Sequence, residues 1–416
     1  MKILALLTIC ALVVSCSSNE TLPPERSSIG LTMDGSRYIP IAGAPDDFKQ
    51  TRPLDSLAAP SGWSTPPVPL LGGGFAIGSR NGRVFIFNDR DSLDRTIAME
   101  ANIPVDQLLT DSNAMYAIAM NGDIFAYTRD GRLLWKTSTN KMLTGNAIMA
   151  GNTLIVPSDS EIVAFDKKSG AIRWKHLGTL ECSTLAANDL SENIFAGLTH
   201  NESDATDSIL VLNANGDVES RMGLPGFRIT SNIALCGKEK NIIAVGMLGA
   251  SVGQRSQAAV VATEIEKDYS YKQLWRHALP YLVLNIAANS DEIVASGFRT
   301  LESEMVSGID AFAIADTSVR WSRRFTEPVA TPLAIGNSDI YFTMTFETQA
   351  IVASKGLFYT LRAATGKTIS ERPIAGAQDG FIPAMPMPDE RGRLLVADGR
   401  RPVVYLLDRS AFQRVF

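Results

Sequence analysis

With 416 residues and 45% apolar content, the chain can bury a large core, and its length alone would allow two or three ordinary domains. Its 39 Lys and Arg against 44 Asp and Glu give a net charge of −5, with no run of basic residues, so a phosphate-binding face and nucleic-acid partners are not expected. The modest charged content of 20% and the 32 glycines fit a turn-rich β protein.

Residues 1–15 read as a leader outside the fold. Lys2 supplies a positive start, and the apolar stretch from Ile3 to Val14 is too short to span a bilayer as a stable helix. The stretch closes on Val13-Val14-Ser15-Cys16, which resembles the bacterial lipobox. That resemblance implies cleavage before Cys16 and acylation of its thiol and amine, and two or three acyl chains anchor a protein stably. Ser17 in the next position, by resemblance to enterobacterial sorting, implies the outer membrane, with the rest of the chain facing the periplasm.

Residues 16–60 read as a lipidated, flexible tether, rich in Pro, Ser and small residues at Ser17–Pro24 and Pro53–Pro60. Within it Arg37-Tyr-Ile-Pro-Ile-Ala42 has β character. It is the segment expected to lend a strand to the last structural unit, since closure removes exposed sheet edges.

From residue 61 to 416 one pattern returns eight times. Its clearest copy starts at Asn113: an apolar run, an Asn121-Gly122 turn, a second run over Ile124–Tyr127, an Asp130-Gly131 turn, and a third run ending in Trp135. Asn-Gly and Asp-Gly between alternating apolar runs are strong hairpin signals. Aligned on the last apolar residue of the second run, the units are anchored at Phe87, Tyr127, Phe165, Leu212, Ala262, Phe312, Leu361 and Leu407. Neighbouring anchors lie 40, 38, 47, 50, 50, 49 and 46 residues apart. A period of roughly 40–50 residues with four short strands predicts an all-β fold, an eight-bladed β-propeller.

Trp135, Trp174, Trp275 and Trp321 recur at one position, the strand after the second turn. Packing between adjacent blades is the expected use of a large flat side chain there. His176 and His277 sit two residues after such tryptophans and read as polar positions on the blade surface. His200 lies in a loop and completes no metal-like cluster. Cys10 leaves with the leader. Cys182 and Cys236 fall at different heights in their units, so two buried thiols are expected and not a bridge.

Ile162-Val-Ala-Phe-Asp-Lys-Lys-Ser-Gly-Ala-Ile-Arg-Trp174 resembles the pyrroloquinoline-quinone-type (PQQ-like) propeller repeat; Ile124–Trp135 is close to it, and Leu357–Gly366 keeps all but the Trp. The quinone-dependent dehydrogenases that share the repeat also carry a vicinal Cys-Cys pair, calcium ligands and a catalytic Asp. This chain has no Cys-Cys. Neither a nucleophile elbow, a His-Glu-x-x-His helix, a Cys-x-x-Cys nor a Walker loop is present. No catalytic, cofactor or metal residues are therefore assigned, and no cofactor is expected.

Lipid anchor, tether and PQQ-like ring together resemble the propeller-lipoprotein (BamB) family of the outer-membrane β-barrel assembly machinery. The resemblance implies a non-enzymatic periplasmic scaffold with protein partners in that machinery. A quinone- or ligand-binding propeller, enzyme or sensor, is the alternative, and a lineage-specific adhesion propeller is a third. Where binding would occur is indicated by insertions between the first and second apolar runs at His200–Asp207, Met247–Gln257, Arg299–Ser307 and Phe346–Gly356. Read as loops on one face of the ring, they include unusually apolar stretches, with Leu248, Val252, Ile351 and Val352 as candidate partner-binding residues.

Overall fold

The computed structural model describes residues 47–50 and 63–408, less short connecting segments, the longest of which are 201–206, 250–256, 374–386 and 398–403. They form eight four-stranded antiparallel sheets. Seven are built from consecutive strands, beginning with blade 1: Val68–Pro69, Phe75–Gly78, Arg83–Phe87 and Leu93–Ala98. Blade 2 comprises Val105–Thr110, Met115–Ala119, Asp123–Tyr127 and Leu133–Ser138; blade 3, Ile148–Ala150, Thr153–Ser158, Glu161–Asp166 and Ile172–Leu177. Blade 4 comprises Glu181–Asn188, Asn193–Thr199, Ser208–Leu212 and Val218–Gly223; blade 5, Phe227–Cys236, Asn241–Gly249, Ala258–Ile265 and Tyr271–Leu279. Blade 6 comprises Leu282–Ala288, Glu292–Leu301, Glu304–Ala313 and Val319–Phe325; blade 7, Ala334–Ile335, Asp339–Thr348, Ile351–Arg362 and Thr368–Pro373. The fold is the expected all-β propeller.

Blade 8 closes the ring with chain from both ends. Met387–Pro388, Leu394–Ala397 and Val404–Asp408 are completed by Asp47–Gln50, which pairs antiparallel with Val404–Asp408. The closing strand is thus Asp47–Gln50, inside the stretch read as tether; Arg37–Ala42 lies outside the described residues. The physical reason is exposure. The outermost strands of the other blades face solvent on most positions, so an outermost strand need not be apolar, and the sequence Asp-Phe-Lys-Gln suffices.

The repeat is held by the same devices from blade to blade. A register shift recurs on the third strand, between Ile86 and Phe87, Ala126 and Tyr127, Ala164 and Phe165, Val211 and Leu212, Ala262 and Thr263, Ala311 and Phe312, and Thr360 and Leu361. The fifth anchor is therefore Thr263, one residue beyond Ala262. Immediately before the shift, Trp135, Trp174, Trp275 and Trp321 each pair across from an alanine. The small residue leaves the indole room to lie over the sheet.

The indole then docks on the next blade. Trp135 Nε1 donates to Lys167 O and Trp174 Nε1 to Ala214 O, both at 2.9 Å. A Cβ on Gly170, Gly216 or Gly366 would meet the ring of Trp135, Trp174 or Trp321 at 2.6 Å or less. Trp275 differs. Its Nε1 has no hydrogen-bond partner among the described residues, and its ring leans on Phe312, with centroids 5.4 Å apart, while His277 stacks on the same Phe312.

Apolar clusters bridge blades 1 and 2, 2 and 3, and so on to 6 and 7, each drawing side chains from both sheets. A further cluster joins Leu395, Ala397 and Val404 of blade 8 to Phe75 and Phe85 of blade 1, with Trp63 edge-on to Phe85. The innermost strands are sheet edges too, and their unpaired backbone groups require partners. Side chains of neighbouring blades supply them. Gln107 receives Ala147 N at 2.6 Å and donates to Gly145 O; Asn146 exchanges both bonds with Leu185. Thr184 Oγ1 accepts from Ile233 N, and Asn232 exchanges both bonds with Ile286 at 2.8 and 2.9 Å. A polar girdle therefore runs from blade 2 to blade 6 around the axis.

Candidate protein-interaction surface

Antiparallel order places the hairpins between second and third strands on one face, together with the connections from each outermost strand to the next blade. Over blades 1–3 this face is low. In blade 3, Phe165 pairs near Leu154 and the hairpin closes four residues later at Ser158–Glu161. In blade 6, Phe312 pairs with Ile293 and pairing continues eight residues further, to Leu301–Glu304. In blade 7 it continues from Ile340 to Thr348–Ile351. Four extra residues at about 3.3 Å each raise these hairpins by roughly 13 Å. The lopsided face is real, but two of the four insertions are prolonged strands and not loops.

The candidate residues are placed accordingly. Leu248 is half-buried in strand Asn241–Gly249, pairing with Arg228 and Ala258. Its neighbour Met247 belongs to the core between blades 4 and 5. Ile351 and Val352 open the third strand of blade 7, where Ile351 pairs with Thr348. Continuing the ladder pairs Ile351, whose backbone a loop of the same apolar composition would leave to water, while Val352 falls in the register shift beside it. Val252 lies outside the described residues. The base of the blade 4 hairpin is stapled to blade 5: buried Asp207 accepts from His200 N at 3.1 Å and from Ile229 N at 2.7 Å.

The most exposed large apolar side chains among the described residues stand elsewhere on this face. Leu177 is 70% exposed and Met142 56% exposed. Both are tied to one short turn of blade 3: Asp159 N donates to Met142 O, Leu177 pairs with Glu161, and Gly178 N donates to Ser160 O at 2.8 Å. Beside Met142, Leu143 is buried and bridges to Ser158. Lys141 Nζ reaches Glu161 Oε1 at 2.9 Å and Asp159 Oδ2 at 3.5 Å, and the hydrogen bond to Glu161 raises the lysine above its ordinary range. Thr139 Oγ1 fixes the approach by donating to Lys141 O at 2.8 Å. Two exposed apolar side chains thus flank one hydrogen-bonded turn, beside the ion pairs of Lys141 with Glu161 and Asp159. A preformed apolar pair with a polar rim suits protein recognition. The sequence signal was weak: Leu177 continues a strand pattern, and Met142 sits beside Leu143 in an otherwise polar linker.

Nucleophiles and buried ions are otherwise engaged. Cys182 and Cys236 are free and buried, and burial pushes the Cys182 thiol up to about 12 and Cys236 up as well. In blade 6, buried Asp310 accepts from the Tyr281 hydroxyl at 2.6 Å, from Ser322, and from Arg324 at 2.8 Å. Burial, followed by the Asp310 charge, raises Tyr281 well above its ordinary value. Glu292, also buried, is pushed up to about 7 by desolvation, with Arg320 3.8 Å away opposing the shift. Among the described residues no three His, Cys, Asp or Glu gather in a metal-like group, and no helix is long and apolar enough to cross a membrane.

A family model described as outer membrane protein assembly factor BamB matches residues 61–218. The chain is a PQQ-like β-propeller that resembles BamB. Among solved structures, BamB from Moraxella catarrhalis aligns over 87% of this chain and 97% of its own, with 15% identity and a TM-score of 0.56. A europium-containing methanol dehydrogenase aligns over 90% of each chain, with 9% identity and a TM-score of 0.59. The computationally designed protein Ika8 aligns over 86% of this chain and all of its own, at 13% identity and 0.60. These likenesses speak to the fold. No curated protein sequence matches the chain.

Proposed function

We propose that this protein is a non-enzymatic scaffold, anchored to the outer membrane through Cys16 with its propeller in the periplasm. Its Met142–Leu177 surface docks a component of the β-barrel assembly machinery. One coincidence carries the reading: the BamB-type match over 61–218 spans the blades that present this exposed apolar pair. The test is affinity purification of the full-length lipoprotein from mildly solubilised membranes, read by mass spectrometry. Wild type should recover barrel-assembly subunits, Met142→Asp/Leu177→Asp should lose them while remaining in the outer-membrane fraction, and Cys16→Ala should leave that fraction. Wild type retained in the outer membrane without those subunits would sink the scaffold reading.

The comparable likeness to methanol dehydrogenase supports a second reading, a quinone-binding propeller. Equilibrium dialysis against pyrroloquinoline quinone with calcium separates the two, because saturable binding belongs to the second alone.

A further inference from the structure

We propose that the outer perimeter of the ring is a second binding surface, one that captures extended acidic polypeptide segments by strand addition. The outermost strands of blades 1–6 hold ten Lys or Arg and only two Asp or Glu. The third strands of the same blades, one position inward, hold one Arg against six Asp or Glu. In a chain of net charge −5, composition does not produce that reversal.

Charges on edge strands ordinarily block pairing with other chains. Lysine is the usual guard, whereas seven of the ten cations here are Arg, so guarding accounts for only part of the bias. A perimeter of one sign repels the perimeter of another copy and attracts a strand of the opposite sign. Eight of the nine exposed large apolar side chains also lie on these strands, including Ile172, Val218, Tyr271 and Val319. Among the described residues each such strand ends its sheet, with no further strand hydrogen-bonded to its outer side. An open sheet edge selects an extended polypeptide over a lipid headgroup or a folded acidic surface.

Several cations are already fixed: Arg173 on Asp166, Arg324 on Asp310, and Arg276 over the Phe227 ring at 4.1 Å. Lys175 and Lys272 stand exposed, near Ile172 and Tyr271. On Tyr271–Leu279, Tyr271 and Lys272 point to opposite faces, so a strand alternating acidic and apolar residues sets a carboxylate against Lys272 and an apolar group against Tyr271. On Ile172–Leu177 the register shift places Lys175 and Ile172 on one face, where Lys175 meets the acidic face of the added strand. The surface meets the Met142–Leu177 pair at the end of strand Ile172–Leu177, and capture along the perimeter does not depend on what docks on that pair.

The test uses the full-length protein and three labelled peptides read by fluorescence anisotropy: alternating Val and Glu, alternating Val and Lys, and the Val/Glu peptide interrupted by prolines, which cannot add to a ladder. The Val/Glu peptide should bind saturably and weaken as salt rises from about 0.05 M to about 0.5 M. The other two should bind at least roughly tenfold more weakly, and Lys175→Glu/Lys272→Glu should cost the Val/Glu peptide a similar factor with an unchanged circular dichroism spectrum. Equal binding of both signs, equal binding of the proline peptide, or indifference to the charge reversal overturns the proposal. So does binding to phosphatidylglycerol vesicles without binding to any peptide, which would assign the perimeter to a lipid surface.

Discussion

Replacing Gly170 by alanine tests how the blades are held together. Gly170 has φ of 71°, a left-handed conformation that costs an L residue about 1 kcal/mol. The added Cβ would also lie 2.6 Å from Trp135 Cε3 and 2.7 Å from Cδ2, where carbon contacts need about 3.5 Å or more. The indole must retreat by about 1 Å. That loosens its packing and breaks the 2.9 Å bond from Nε1 to Lys167 O, itself worth about 1 kcal/mol. With overpacking of about 1–2 kcal/mol, the total comes to roughly 3–4 kcal/mol. Gly151→Ala is the control: its φ is 51° and nothing lies within 4 Å of its Cβ, so only the conformational cost of about 1 kcal/mol applies. Urea denaturation followed by circular dichroism measures both. In a Trp135→Ala background the cost of Gly170→Ala should fall to about 1 kcal/mol, a coupling of roughly 2–3 kcal/mol. Equal costs for the two glycines, or no coupling to Trp135, would refute the docking argument.

Asp310→Ala should destabilise by about 3 kcal/mol in the same assay, because it strips the buried Tyr281 hydroxyl and Arg324 of their carboxylate. The raised Glu292 binds its proton more tightly in the folded state. Its contribution is therefore full below the ordinary carboxyl value of 4.5 and is lost as pH rises through about 7. Glu292→Gln should flatten the decline in stability over that window, as pH-dependent denaturation would show. Ellman's reagent should modify neither Cys182 nor Cys236 in the folded protein and both after unfolding, since burial raises both thiols and blocks access. Leu177→Asp should change stability by less than about 0.5 kcal/mol, as expected of an exposed site, a thermal melt being sufficient to check it.

Local chemistry alone determined the repeat, its turns and the Trp position. Asn121-Gly122, Asp130-Gly131 and Trp135 each act within or next to their own hairpin, so period and composition reveal them. The buried, free thiols of Cys182 and Cys236 were legible for the same reason, from their different heights in the repeat. Only the tertiary structure decided what depends on pairing across long separations. Asp47–Gln50 closes blade 8 because Val404–Asp408 offers it an edge, and its polar sequence gives no sign of this. The stretches around Leu248 and Ile351 are strands because a partner strand continues beside them. Gln107, Asn146, Thr184 and Asn232 look like ordinary polar residues until the ring sets them against the backbone of the next blade. Met142 and Leu177, 35 residues apart, become one surface because both are fastened to the Asp159–Ser160 turn. The cationic perimeter likewise emerges only when strands are sorted by their place in the sheet, since charge segregation is a property of radius in the ring and not of position along the chain.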